Sequence, residues 1–159
     1  MAAAKKVSTD APPVGKVEPS LPYVVGRLDR VVRRGVEVAV ATEGLSVGQY
    51  TVMSVLSHQP FLSNAQLARR GYVSPQSMNE TLLALEGLGL VRRRHDPAHG
   101  RIRRTELTAK GRRVIERLDR KVGVVESAMT AGMTAAERGA LRSLMMEAVR
   151  NLGGGFAKG

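Results

Sequence analysis

Two helix start signals stand only eleven residues apart, and this spacing limits what the chain can fold into. Ser63 and Gln66 form one capping-box pattern, and Ser74 followed by Pro75 is a second N-cap signal. Gly71 lies between them and can end the first helix. A short helix joined by a tight turn to a second helix is typical of a helix-turn-helix.

The segment after the second helix is predicted to be a β-hairpin. That helix covers 74–88, and the stretches 91–95 and 102–107 have strand character. The two stretches flank Pro97 and Gly100, which favour a turn. A helix-turn-helix followed directly by a hairpin is the arrangement of a winged helix. The combination indicates this fold far more specifically than either motif alone.

The flanking segments are predicted to be helical. Apolar residues recur at steps of three and four over 21–41, and a capping-box pattern begins a helix over 46–58. A similar apolar row covers 115–129, and a last helix covers 134–152. The predicted fold class is therefore mainly α with a small β-hairpin.

Positive charge is concentrated in about one fifth of the chain. The net charge is +11, and residues 88–121 hold twelve Lys/Arg and four Asp/Glu. A localised basic patch indicates a polyanionic partner. The chain has five aromatic residues, which argues against a single-strand binder that needs stacking platforms. No basic helix carries aromatic anchors, so a membrane surface is not the expected partner.

Several classes of function are excluded or not expected. The chain has no cysteine, which excludes disulfides and thiolate metal sites. No nucleophile–base pair, carboxylate dyad or phosphate-binding loop stands out, so neither an enzyme nor a cofactor is expected. No apolar run approaches the roughly 18 residues of a membrane span. The first 19 residues lack the apolar segment of a signal peptide, and the cytoplasm is the expected compartment.

Two histidines of the hairpin raise the question of a metal site. His95 and His99 are four residues apart with Asp96 nearby. A zinc site needs three or four ligands of suitable geometry, and hairpin residues do not share a helix face. No metal site is predicted. A milder hypothesis is that His99 gains a proton near pH 6 and strengthens polyanion binding in acid.

The winged-helix segment also resembles a known family. The stretch LARRGYVSPQSMNETLLALEGLGLVRRRHDPAHGRIRRTELTAKGRRVI is similar to the core of the MarR family of bacterial transcription regulators. The matching motifs are Leu67-Ala68, Ser74-Pro75, Leu85-Glu86, Gly89-Leu90-Val91, Asp96-Pro97, Arg101 and Leu107-Thr108 with Gly111. The resemblance covers about residues 20–153. It implies homodimers that bind palindromic operators on double-stranded DNA, many of them released by a small phenolic ligand.

The resemblance also implies a domain organisation in which the first, fifth and sixth helices form the dimer. The predicted parts are a disordered basic tail, an N-terminal dimerisation helix, a winged helix-turn-helix DNA-binding domain, C-terminal dimerisation helices and a flexible tail. They cover residues 1–19, 20–45, 46–108, 109–153 and 154–159.

The second helix of the motif is expected to enter the major groove with its N-terminal turn first. Its outward polar residues are the candidate base contacts, because Gln and Asn can bond adenine bidentately and hydroxyls can bond bases or phosphate. They are Ser74, Gln76, Ser77, Asn79 and, less strongly, Thr81. Solvated surface and helix capping are the alternatives for each.

The hairpin is expected to supply affinity through its arginines. Arg101 is the candidate for insertion into a narrow minor groove, where negative potential is concentrated. Phosphate contacts are predicted for the arms, at Arg92, Arg94, Arg103 and Arg104. The family pattern has an acid where this chain has His99, so the pair Asp96–Arg101 is expected to brace the wing. The family also favours Gly where this chain has Tyr72.

An effector pocket between the dimer helices and the winged domain is implied by the resemblance. The candidate lining residues are Arg27, Arg34, Tyr50, Met53 and His58. An arginine would suit a carboxylate. Tyr50 and Met53 could equally be ordinary core residues.

Two rival functions remain open. A sequence-tolerant nucleoid or architectural protein would bind DNA almost wholly through charge. A winged helix used only for protein contacts would bind no DNA. Competition between a specific site and random DNA at fixed salt separates these readings.

Overall fold

The structure is a computed structural model that describes residues 18–98, 100 and 102–154. Within this part of the chain, six helices and three strands follow one another. They are α1 (Leu21–Ala41), α2 (Val47–His58), β1 (Leu62–Ser63), α3 (Asn64–Gly71), α4 (Pro75–Gly87), β2 (Val91–His95), β3 (Arg103–Leu107), α5 (Ala109–Met129) and α6 (Ala135–Asn151). The predicted fold class, a mainly helical winged helix-turn-helix, is confirmed.

The helix starts follow the capping signals of the sequence. Complete capping boxes are formed at Ser46, Ser63 and Thr134, where each side chain accepts a hydrogen bond from the backbone three residues on. Ser74 and Thr108 cap α4 and α5 in the same way but without the reciprocal bond. Each cap satisfies a backbone N–H that the first helical turn leaves without a partner.

The turn between α3 and α4 differs from the prediction by one residue. Gly71 is the last residue of α3, and Tyr72 takes the left-handed conformation that ends the helix, with φ 51°. A side chain in this region crowds the following carbonyl, which is why glycine usually occupies it. The phenol of Tyr72 is exposed, so buried contacts do not offset that cost.

The sheet contains one strand more than the predicted hairpin. It is antiparallel with the order β1-β3-β2, and β3 begins at Arg103 rather than at Ile102. β1 is only two residues long and pairs Leu62 with Thr105 and Ser63 with Arg104. A two-residue strand is too short for an alternating pattern, so the sequence carries no sign of it.

The core lies where α2, α4, α5 and the sheet meet. Its largest fully buried side chains include Met53, Leu56, Leu82, Leu85 and Leu118. The apolar spacing of α4 predicts a buried row of Met78, Leu82, Leu85 and Leu88. The first three are core, whereas Leu88 is 45% exposed. The first half of the α5 row is also confirmed as core.

The start of α5 is packed tightly against the residue before β2. Thr108 donates hydrogen bonds from its hydroxyl to the carbonyls of Gly89 and Leu90, at 2.7 and 3.2 Å. A Cβ at Gly111 would overlap the Leu90 carbonyl oxygen. The motif of Thr followed by Gly three residues on is therefore the contact that fixes α5 to the winged domain.

The first helix packs along α5, whereas the last helix buries nothing. A Cβ at Gly35 would lie 3.0 Å from a methyl group of Val125, so α1 and α5 approach closely at this point. Within the described residues, α6 has no buried side chain. No helix of this part of the chain is long and apolar enough to cross a membrane. The domain boundaries drawn from the sequence stay a prediction.

Candidate nucleic-acid interface

The N-terminal turn of α4 projects from the fold and is held in place from behind. Residues 74–77 at its start are all exposed, while Met78 one position later is buried. Asn64, at the start of α3, donates a hydrogen bond from Nδ2 to the carbonyl of Pro75, at 2.8 Å. Since Pro75 is the first residue of α4, this bond links the two helix starts directly. The sequence did not single out Asn64.

The candidate base contacts on α4 differ in which of their hydrogen-bonding groups remain available to a ligand. The Ser74 hydroxyl accepts from the Ser77 N–H and bonds the Ser77 hydroxyl, so capping uses it. Thr81 is half-buried and donates to the Ser77 carbonyl, at 3.0 Å. Gln76 and Asn79 are exposed amides that keep free N–H groups among the described residues. The two amides are therefore the strongest candidates of the predicted set.

One arginine of the wing connects β2 to the exposed face of α4. Arg93 donates from Nε and Nη2 to Glu86 Oε2, at 2.9 and 2.7 Å, and from Nη1 to Asn79 Oδ1, at 3.0 Å. Its side chain is only 10% exposed. Asn79 and Glu86 lie two helical turns apart on one face, which is why one planar guanidinium reaches both.

Arg93 was missed as a functional candidate, although a signal for it exists. Side chains alternate along a strand, so Arg93 faces the same side of β2 as buried Val91, and Arg92 and Arg94 face the other side. An arginine on the inward side of a strand needs a partner there, and Glu86 on the preceding helix is that partner.

The outward face of the wing carries its own counter-charge. Glu106 accepts from Arg92 Nε at 2.8 Å and lies 3.6 Å from Arg94 Nε. The hydrogen bond from Arg92 lowers the pKa of the Glu106 carboxyl. Both arginines remain about half exposed or more, at 47% and 64% of the side chain. They can therefore approach phosphates while Glu106 holds their stems in place.

The structure changes the prediction for Arg104. Its guanidinium does not project freely from the arm, because Nε donates to Asp96 Oδ2 at 2.7 Å and Nη1 donates to Gln66 Oε1 at 3.1 Å. The side chain is 31% exposed, and a phosphate contact by Arg104 stays a prediction. Arg103, its neighbour on the opposite face of β3, is exposed.

Two predicted wing residues cannot be placed. His99 and Arg101 lie outside the described residues, so the minor-groove role of Arg101 and the pair Asp96–Arg101 stay predictions. Close to the tip, His95 bonds the Gly100 carbonyl through Nδ1 at 2.8 Å. Asp96 Oδ1 accepts from the N–H of Ala98 at 2.8 Å.

The five candidate effector residues lie in different surroundings. Met53 is 0% exposed and lies inside the core, which is the alternative weighed from the sequence. Tyr50 donates its hydroxyl proton to Asp119 Oδ1 at 3.0 Å, and burial beside this carboxylate raises the pKa of Tyr50 to about 12. Arg27, Arg34 and His58 are exposed. Their role in ligand binding stays a prediction.

A cleft is found at another place, where α5 turns into α6. It has a volume of about 540 Å³. Its walls come from both sides of the turn and include Glu126, Thr130 and Arg138. None of the five candidate effector residues lines it.

Comparison with known proteins assigns this arrangement to a family. A model of the MarR family matches residues 43–102, which include the helix-turn-helix. The HTH-type transcriptional repressor Rv2887 of Mycobacterium tuberculosis is 35% identical over 118 residues, which are 74% of this chain and 85% of that protein.

Solved structures of the same mycobacterial protein share the fold. Its complex with DNA superimposes with a TM-score of 0.68 at 30% identity, covering 82% of this chain and 98% of that chain. Its complex with salicylic acid gives a TM-score of 0.67 at 31% identity, covering 82% and 97%. The family resemblance seen in the sequence is confirmed: the chain belongs to the MarR family of DNA-binding transcriptional regulators.

Proposed function

We propose that the protein is a homodimeric repressor that binds a palindromic operator and is released by a small phenolic or carboxylate ligand. One observation carries the DNA-binding half of this proposal. The exposed polar turn at the start of α4 and the exposed arginines of the wing belong to one rigid unit, joined by Arg93. Such a unit reads bases with the helix and binds phosphates with the wing.

The dimer is supported by apolar surface that one chain leaves uncovered. On α1 and α6, large apolar side chains are exposed by 40% or more. They include Leu21, Val25, Val31, Val38, Leu144 and Met145. Exposed apolar surface of this kind is typical of an obligate interface. A two-fold dimer would place two copies of α4 one DNA turn apart, at roughly 34 Å.

The effector is supported by a relative and by the charges of α1. The mycobacterial repressor has been crystallised with salicylic acid. Arg27 and Arg34 are exposed on α1, two turns apart, and a guanidinium suits a carboxylate. A salicylate-like acid is therefore the class of ligand to test, and the cytoplasm is the proposed site of action.

The experiment combines selection with competition. The full chain selects duplexes from a random-sequence DNA library, and the affinity for the enriched duplex is then compared with that for random DNA at fixed salt. We expect a preference of at least ~10³, an inverted repeat in the enriched sites, and twice the chain mass by light scattering. Added salicylate should weaken binding.

Other outcomes separate the alternatives. Comparable affinity for selected and random DNA would instead support a nucleoid or architectural protein. Absence of DNA binding would leave a protein-contact module. A monomer at micromolar concentration would contradict the dimer.

A further inference from the structure

The orientation of one amide on the recognition surface is fixed by the wing. Asn79 on α4 faces Arg93 on β2, with Oδ1 3.0 Å from Nη1 of the guanidinium. A guanidinium has only hydrogen-bond donors, so the atom facing it must be the amide oxygen. The Nδ2 group consequently points away from Arg93.

The Arg93 guanidinium is held in the orientation in which it donates to Asn79 Oδ1. Its Nε and Nη2 atoms are both bonded to Glu86, so the plane of the guanidinium is held on two sides. The side chain is 90% buried, whereas Asn79 is exposed. The amide is therefore held by a rigid partner before any DNA arrives, which lowers the entropy cost of an Asn79 contact.

This orientation decides which base edges Asn79 can bind. Bidentate pairing with adenine needs both ends of the amide, with Oδ1 accepting from adenine N6–H and Nδ2 donating to N7. Here a second N–H approaching Oδ1 would come alongside the positive charge of Arg93. The exposed Nδ2 donors suit acceptors, which in the major groove are guanine O6 and N7, thymine O4 and adenine N7. Adenine is the poorer choice, because its N6 amino group is a donor beside N7 and would be left without an acceptor, whereas guanine offers two acceptors side by side.

We infer that Arg93 makes Asn79 a donor-only reader, which selects guanine or thymine and disfavours adenine at its base in each half-site. This inference rests on the proposed function, because it assumes that α4 enters the major groove. It names a specificity-determining residue, Asn79, and a positioning residue, Arg93, that acts through it.

The test is the same library selection, carried out with variants of the full chain and read one base position at a time. Asn79→Leu identifies the position that Asn79 contacts, because only that position loses its preference. Asn79→Asp keeps an oxygen facing Arg93 but replaces the donors by an acceptor. We expect about tenfold weaker binding to the original base and a shift toward cytosine, whose N4 donates.

A charge-preserving variant tests the positioning role. Arg93→Lys keeps a cation beside Glu86, but a single ammonium cannot replace the fork that also reaches Asn79. The freed amide should then accept adenine at this position within about threefold of the original base. Arg113→Lys, at an exposed position on α5, is the matched control and should leave the position unchanged.

The outcomes separate this inference from the proposed function. Adenine at the Asn79 position in the wild-type sites, or a selected site that Asn79→Leu does not alter, would overturn the inference and leave the regulator intact. No enriched sequence at all would overturn both. If thermal unfolding shows that Arg93→Lys is not folded, Asn79→Asp decides, because it keeps the contact with Arg93.

Discussion

Arg104 and Asp96 form an ion pair that ties the third strand to the tip of the wing, with Nε 2.7 Å from Oδ2. Asp96 is 8% exposed, and its other oxygen accepts from the N–H of Ala98. One buried carboxylate thus holds both the strand and the turn. Since Arg104 lies directly across from Arg94 in the sheet, Asp96 also offsets the repulsion of two like charges.

Asp96→Asn tests whether this bracing matters for DNA binding. Removal of a negative charge should by itself raise affinity for a polyanion, whereas loss of bracing should lower it. We expect a loss of about 1–2 kcal/mol in the free energy of unfolding and a several-fold loss of affinity for the selected duplex. Glu116→Gln, at an exposed acid of α5, is the matched control for charge. Equal gains in affinity for both variants would contradict the bracing role.

Glu43→Gln tests the link between the turn after α1 and α5. Arg117 donates from Nε and Nη2 to the two oxygens of Glu43, at 2.9 and 2.8 Å, and this hydrogen bonding lowers the Glu43 pKa from 4.5 to about 2. The stabilisation is therefore complete above about pH 4.5 and is lost as the pH falls toward 2.

Urea unfolding of both proteins across this range provides the measurement. The difference in unfolding free energy between wild type and Glu43→Gln should be constant from pH 7 to about pH 5 and should shrink below pH 4.5. Glu37→Gln, at an exposed position on α1, is the matched control for removal of one carboxylate. A difference that stays constant down to pH 3 would contradict a depressed Glu43 pKa.

Local signals made the helices predictable. Five of the six described helices, all except α1, begin at a side chain that bonds a backbone N–H three residues away, as at Ser63 and Thr134. A few adjacent residues therefore contain the whole interaction. The apolar rows of α4 and α5 were equally readable, because burial of a helix face needs only the helical period.

Long-range pairing made the rest of the site unpredictable. Arg92, Arg93 and Arg94 are three consecutive arginines with different partners. In the sheet, the first and third lie beside Glu106, whereas the second faces α4. The partner of Arg104 depends on β3 returning beside β2, and the strand β1 exists only because β3 is there to pair with it. Strand alternation indicates that Arg93 faces inward, but the partners of Arg92, Arg94 and Arg104 cannot be obtained from sequence spacing.

The left-handed backbone at Tyr72 predicts that a glycine variant is more stable than an alanine variant at this position. Tyr72→Gly and Tyr72→Ala both remove an exposed phenol, so they differ mainly in their tolerance of φ 51°. We expect the glycine variant to be about 1 kcal/mol more stable than the alanine variant, because glycine adopts this region without a steric cost. Thermal unfolding of the two variants compares them directly. An alanine variant as stable as the glycine variant would show that the turn adapts at no cost.

The contact between Gly111 and Leu90 predicts a position that tolerates no side chain. A Cβ at Gly111 would overlap a backbone oxygen, and a backbone atom cannot rotate away. We expect Gly111→Ala to cost about 1–3 kcal/mol in unfolding free energy. At Gly87 a Cβ meets nothing within 4 Å, so Gly87→Ala should be neutral or slightly stabilising. Equal effects in chemical unfolding would mean that α5 can move away from the sheet at little cost.

Arg103 and Arg104 are adjacent on β3 but face opposite sides, and they should contribute to different properties. The Arg103 side chain is exposed and makes no hydrogen bond to another described residue, so Arg103→Ala should leave stability unchanged. If Arg103 binds a phosphate, the slope of log K against log salt should fall in magnitude by about 0.9 per lost contact. Arg104→Ala removes the bonds to Asp96 and Gln66 and should mainly lower the unfolding free energy, by about 1–3 kcal/mol. Salt titrations of duplex binding beside thermal unfolding provide both quantities, and the opposite pattern would mean that Arg104 is the phosphate contact.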